Sequence, residues 1–456
     1  MTTSLSPTRK LRLGAFLPGG GQHIAAWRQP DQPSDGATNL AFHIQLAKEA
    51  ERGLFDAYFL ADGLSVSFGG GIEGGNAKVA GFEPVTLFAA LSQHTKTLGF
   101  IATASTTYEE PYNLARKFAS LDLITAGRSG WNVVTTTGDA AAQNFNRDSQ
   151  PPHAARYARA HEHVAVVKAL WDSFEEDAFV RDKATGQFFD AGKLHAANHK
   201  GAHFQVKGPL NVSRSPQGHP VIVQAGQSED GRGFAAAHAE VIFTAHQHLE
   251  TAQEFYRDIK SRARGLGRNP DHLLIMPGVS PFIGRTLDEA QEKYDRLTAL
   301  ILPEDGVALL NGLTGGTLDL SGHDLDGPLP PAPPTEGMKS RQALIRAIAD
   351  EHGFTIRQLY QWVASARGHL TLVGTPQSIA DTLQAWFETG GADGFNILPP
   401  WLPTGLTDFV DLVIPELQRR GLFRTAYEGR TLRENLGLPF PETRWALARR
   451  STQAAE

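Results

Sequence analysis

Short apolar runs alternate with longer amphipathic stretches along most of the chain, and this alternation predicts repeated strand–helix steps. Leu11–Leu17 reads as a first strand, ended by Pro18 and three glycines. Asn39–Arg52 carries Leu40, Ile44, Ala47 and Ala50 on one helical stripe, closed by Gly53. Tyr58–Leu60 is a second strand ending at Ala61-Asp62, and Leu98–Ala104 and Gly130–Val134 are the third and fourth. Helices over Glu83–His94 and Pro111–Ile124 separate them, and a long helix follows Pro151-Pro152 to about Phe174. Val221–Val223, Val241–Phe243, Leu273–Val279 and Gly394–Leu398 are short and apolar, as in strands buried on both faces. Helices are expected from Ser228 and over Leu249–Leu266, Leu287–Leu300, Pro376–Thr389 and Thr407–Arg420.

Eight such steps predict an α/β fold, a (β/α)8 TIM barrel with its active site at the carboxyl ends of the strands. Two stretches interrupt the rhythm. Val180–Gly218 is irregular and rich in His, Gly and Lys; Leu302–Met338 is rich in Pro and Gly, and mostly helical residues follow it to Gly368. One barrel domain over 1–456 is expected, with insertions at about 178–218 and 302–368, and the second insertion is a candidate lid.

Composition narrows the function. The 456 residues are 41% hydrophobic and 20% charged, an ordinary globular balance. The net charge of −6 without a basic tract gives nucleic acid no footprint. With no cysteine there is no disulfide, thiolate nucleophile or Cys-based metal site. No apolar run approaches the ~18 residues of a membrane span, and the N-terminus lacks a secretory apolar core, so a cytoplasmic protein is expected.

In a barrel, the polar residues that end strands are the ones to watch: Asp62, Thr103, Ser105, Asn132 and Ser228. His153 and Tyr157, four apart at a helix start after the fourth strand, share one face. Ser228 opens a helix just past Val221–Val223, where unpartnered N–H groups make an anion cup suited to phosphate. Each residue also has a plainer role open to it: Ser228 as an N-cap, Asp62 as a loop cap, Thr103 as a core hydroxyl, His153 and Tyr157 as a helix edge. Glu229 and Asp230 would repel a phosphate unless turned away, and Arg232 is placed to offset them.

Other constellations fail. Gly69-x-Gly71-x-x-Gly74 matches the dinucleotide fingerprint by letter but neither leaves a strand nor opens a helix. His161 and His163, two apart, diverge on a helix, and His195, His199 and His203 have no carboxylate beside them in sequence, so no metal site is expected. No nucleophile elbow or phosphate-binding P-loop is present.

Longer motifs carry a resemblance. Thr103–Thr136, Pro151–Ser173, Gly208–Arg232 and Gly374–Pro400 closely resemble the bacterial-luciferase-like flavin monooxygenases, in the branch of the nitrilotriacetate, EDTA and dibenzothiophene-sulfone monooxygenases. The resemblance runs from Leu11 to about Pro439. It implies a luciferase-like barrel that takes reduced FMN as a co-substrate and uses O2 to oxidise a small organic molecule, such as an aminopolycarboxylate or a sulfur heterocycle. It also implies a separate NAD(P)H-dependent flavin reductase. The family's FMN contacts map onto Asp62 in FLAD, Thr103 in TAST, His153 and Tyr157 in PPHAARY, and Ser228 in AGQS; Asn132 in GWNVV falls where the ring would lie. No side chain is singled out as the catalytic acid or base. A homo-oligomer, dimer or tetramer, is expected. Two readings stay beside this one: a deazaflavin-dependent oxidoreductase on the same barrel, and a flavin-binding barrel without turnover.

Overall fold

Strands that are short and buried on both faces suit a parallel sheet covered by helices, and here that sheet closes on itself. The computed structural model describes residues 9–66, 79–320, 322–333 and 339–453. Among them nine parallel strands form one sheet: β1 Arg12–Phe16, β2 Ala57–Leu60, β3 Gly99–Ser105, β4 Ser129–Val134, β5 Val221–Gln224, β6 Val241–Thr244, β7 Leu274–Ile283, β8 Leu370–Gly374 and β9 Gly394–Ile397. All but β8 close a ring in the order β9-β1-β2-β3-β4-β5-β6-β7, with β7 returning to β9. This is the expected (β/α)8 barrel.

The ring is filled by alternate residues. Ala57 and Phe59, Ile101, Val221 and Val223, Val241, Leu274 and Met276 point inward and pack together. Their neighbours, among them Leu13, Tyr58, Phe100, Trp131 and Phe395, join the layer between strands and helices. The inner cluster is completed by Leu432, Leu436 and Leu438, from a short helix at Leu432–Leu436 that plugs the floor at the amino ends of the strands. Beneath β2, Asp56 pairs with Arg424 at 2.6 Å, both side chains 1% exposed, and its other oxygen accepts the Leu13 N–H at 2.7 Å.

The structure departs from the expected elements at several places. Leu370–Gly374, read as part of a connection, is strand β8, hydrogen-bonded to the upper half of β7 from Val279 to Ile283. It is only half buried, so it lacks the continuous apolar run of its neighbours. Leu302–Met338, read as a Pro- and Gly-rich insertion, begins with a helix at Pro303–Leu313, with Pro303 in its first turn. That helix, together with Lys339–His352 and Ile356–Ala366, encloses a second core around Leu310, Ile345, Leu359 and Tyr360. The helix read as Thr407–Arg420 starts at Thr404 and contains a π turn at Phe409–Val413. A further helix at Arg444–Gln453 follows the plug. The first insertion holds a two-residue hairpin, His199-Lys200 against Gln205-Val206. The Gly69–Gly74 fingerprint and the end of the second insertion at 334–338 lie outside the described residues.

Candidate active site

At the carboxyl ends of the strands the barrel filling changes from apolar to polar. Thr103 and Asn132 are register partners on β3 and β4. The Thr103 hydroxyl donates to the Leu60 carbonyl at 2.8 Å and accepts from Asn132 Nδ2 at 2.9 Å. The Asn132 Oδ1 is buried without a partner, as is the Oδ1 of Asn396 across the mouth on β9. Gly14 leaves room there: a Cβ on it would stand 2.7 Å from that Asn396 oxygen. Phe16, Phe59 and Phe243 surround these groups, with ring centroids 5.1–6.3 Å apart. Buried acceptors without donors are costly, and a flat heteroaromatic ring with N–H groups would satisfy them on an aromatic floor.

Beside the mouth, a cavity of about 530 Å³ separates the helices that follow β4 and β5. It is lined by Thr135–Thr137, His153, Arg156, Tyr157, Gln224–Asp230 and Arg341. Ser228 is the N-cap of the helix Glu229–His238, its Oγ accepting the Gly231 N–H at 3.2 Å. The plain capping role is therefore real, and it leaves the hydroxyl hydrogen and the first-turn N–H groups to serve a ligand. The Tyr157 hydroxyl lies against the same turn. A Cβ at Gly226 or Gly231 would come within 2.9 or 3.1 Å of it, so both glycines are needed for the approach.

The acidic pair at this helix start is turned aside, but not by the residue expected. Arg232 binds Asp258 at 3.1 Å and the Gln227 carbonyl at 3.0 Å. Glu229 instead pairs with Arg262 at 2.6 Å, and Asp230 with His153 Nδ1 at 2.9 Å. The two arginine–acid pairs bridge to the neighbouring helix, a contact invisible in local sequence.

Of the predicted site residues, His153, Tyr157 and Ser228 share this cavity, while Thr103 and Asn132 form the floor of the mouth. Asp62 lies at the exposed rim after β2, where its Oδ1 accepts the Gly63 N–H at 3.0 Å. Its carboxyl is pushed up to about 6, chiefly by burial of the charge, with Glu83 and Glu109 adding repulsion against that hydrogen bond. Arg156 and Gln224 escaped the sequence reading although they sit within the quoted motifs; Arg341 escaped because it comes from the second insertion. Ser105 lies two residues beyond Thr103 on the same strand, its hydroxyl accepting from Thr136 at 2.7 Å.

The histidines of the first insertion do have carboxylate company, contrary to expectation. His195 meets Glu175 and His199 meets Glu162, each at 2.8 Å, and these acids come from outside the insertion. Each is a pair, and among the described residues no group of three metal-ligating side chains occurs. No described helix is long and apolar enough to cross a membrane.

A closed parallel barrel with a polar cavity and an aromatic cluster at the carboxyl ends of its strands has the layout of a barrel enzyme. The comparisons name the family. The profile described as luciferase-like monooxygenase matches residues 22–393. The chain is 52% identical over 97% of its length to N-acetyl-S-(2-succino)cysteine monooxygenase of Bacillus subtilis (strain 168), covering 99% of that protein. It is 46% identical to nitrilotriacetate monooxygenase component A of Aminobacter aminovorans, over 96% of this chain and 98% of that one. The crystal structure of DmoA from Hyphomicrobium sulfonivorans superposes with a TM-score of 0.85 at 34% identity, covering 94% of this chain and 92% of that one. The chain belongs to the luciferase-like monooxygenase family, as its motifs implied, and is a flavin-dependent monooxygenase.

Proposed function

We propose that this chain binds reduced FMN, delivered by a separate NAD(P)H-dependent flavin reductase, and uses O2 to oxidise a small organic substrate. The observation that supports it best is the convergence of Ser228 and Tyr157, from two different βα units, on one glycine-lined helix start. In this reading the FMN phosphate takes the Ser228 hydroxyl, the Tyr157 hydroxyl and the first-turn N–H groups of the helix. His153 is held by Asp230 at the edge of that cup. Thr103 and Asn132 would hold the ring, the partnerless Asn132 Oδ1 serving as acceptor for a ring N–H, and Asp62 would serve as a further polar contact.

When bound, reduced FMN supplies the electrons and the oxygen-activating carbon. The chain's own residues orient the ring, keep water from it and admit the substrate. Asn132 is fixed for the first task because Thr103 holds its amide and Leu60 holds Thr103. The second insertion, which brings Arg341 to the cavity wall, serves the second task. The reading includes a cytoplasmic address and self-association as a dimer or tetramer.

The test is NADH consumption with FMN present, with and without an added FMN reductase. NADH loss and product should appear only with the reductase, and any FMN reductase should serve because reduced FMN diffuses. Comparable NADH loss by the chain alone, coupled to product, would overturn the two-component reading.

A further inference from the structure

Several buried arginines of this chain meet a carboxylate or a set of carbonyls. Arg424 meets Asp56, Arg433 meets Glu240 and Arg214 meets Asp172, and Arg128 is surrounded by carbonyls and a hydroxyl. Two arginines of the second insertion differ in that neither side chain makes a hydrogen bond or ion pair among the described residues. Arg341, in the first turn of Lys339–His352, has a buried Nη1 with no partner. Arg367, the left-handed residue (φ 54°) that ends Ile356–Ala366, has a buried Nε with no partner.

They are neighbours. Gly368 lets the Arg341 guanidinium rest on the backbone next to Arg367, since a Cβ there would stand 2.6 Å from Nη1. His369 follows, stacked flat on Phe243 at 4.7 Å and bonded through Nδ1 to the Thr244 carbonyl at 3.2 Å. The group thus touches both the cavity wall, through Arg341, and the aromatic floor, through Phe243. Burial holds both guanidinium groups down at about 10, and for Arg341 the charge of Arg367 contributes. His246 and His369 are depressed as well, with burial first and the nearby cations second. No carboxylate within salt-bridge distance of either arginine occurs among the described residues. A buried pair of like charges is expensive unless an anion joins it.

We infer that Arg341 and Arg367 form a second anion seat that holds a carboxylate of the substrate against the flavin face, so that the substrate is a small carboxylic acid. This rests on the flavin reading above and adds the substrate's chemistry. The FMN phosphate has its own donors at Ser228, Tyr157 and the helix start, which belong to the barrel's βα units. The arginines come from the second insertion and adjoin the β6 end of the mouth. A planar guanidinium matches a carboxylate with two parallel hydrogen bonds, a fit that Lys cannot reproduce.

The test is calorimetric titration of the full chain saturated with oxidised FMN. The probes are N-acetyl-S-(2-succino)cysteine, nitrilotriacetate and the fully esterified form of each. The acids should bind at least tenfold more tightly than the esters. Arg341→Met and Arg367→Met should each weaken acid binding tenfold or more and leave ester binding unchanged, and Arg367→Met, which is outside the lining of the FMN cavity, should leave FMN affinity within twofold. Arg341→Lys should recover only part of the loss. Equal binding of acid and ester to the parent chain, or no binding of either acid, would overturn the inference without any variant having to fold. An FMN affinity that falls with the acid affinity would assign the arginines to the cofactor phosphate instead. Failure of the flavin reading itself would show differently, as no FMN binding by the parent chain.

Discussion

Ser228 does two jobs at once, and the two can be separated. Its Oγ caps the helix Glu229–His238 through the Gly231 N–H, and its hydroxyl is assigned to the FMN phosphate. Ser228→Ala removes both, so it should cost about 1 kcal/mol of stability from the lost cap and roughly 1.5–3 kcal/mol of FMN binding from the lost charge-assisted bond. Ser228→Asp keeps a good cap and suits the helix dipole, so stability should stay near that of the parent. It also brings a carboxylate to where the phosphate must sit. At about 4 Å and an effective dielectric constant near 20, each such pair of unit charges repels by roughly 4 kcal/mol. Arg262 and Arg232, the arginines nearest this helix start in sequence and on the next helix, are already engaged by Glu229 and Asp258. FMN binding should therefore fall by roughly 100- to 1000-fold in Ser228→Asp, with melting temperature unchanged. Riboflavin, which lacks the phosphate, should bind both variants and the parent alike. The assay is flavin fluorescence titration beside thermal denaturation. If Ser228→Asp binds FMN as the parent does, or loses riboflavin equally, the phosphate is not held here.

Gly226→Ala would press on the Tyr157 hydroxyl and on the Gly231 backbone, and FMN titration should show at least a tenfold weaker complex with the circular dichroism spectrum retained. His163 is buried, donates to the Glu109 carbonyl and is held down to about 4 by burial, against 6.5 when unfolded. The unfolded chain therefore binds more protons between those values, so stability is full above about pH 6.5 and falls toward pH 4. Urea denaturation across that window should show a loss of up to roughly 3 kcal/mol attributable to this residue, which His163→Gln should remove. Arg424→Met leaves Asp56 buried with its charge unpaired, and should cost about 3 kcal/mol or more in urea; adding Asp56→Asn should return part of it.

The barrel was legible because parallel strands buried on both faces, such as Val221–Val223, stand out against turn residues and helical stripes. Strand β8 was not, because half-exposed Leu370–Val373 directly follows a helix and has no apolar run of its own. At the site, the Ser228 cup was readable from a single local stretch, strand end to helix cap. What decides its electrostatics was not. Asp258 and Arg262 belong to the next helix, and only the fold brings them beside Arg232 and Glu229. The same holds for Glu162 and Glu175, which answer the histidines of the first insertion, and for Arg341, which the second insertion delivers to the cavity. Local pattern reveals which backbone groups face the mouth; partners from distant segments follow from packing.

The plug at Leu432–Leu436 has a consequence for the order in which this molecule can be made. The inner faces of β2, β3, β5, β6 and β7 rest partly on leucines synthesised after every strand of the ring. The ring itself closes only with β9, and Arg424 reaches Asp56 later still. During translation the first strands must wait, with their apolar undersides uncovered, until Leu432–Leu438 leave the ribosome. A nascent chain halted before Arg424 would carry an open-floored sheet, the species on which a chaperone would act.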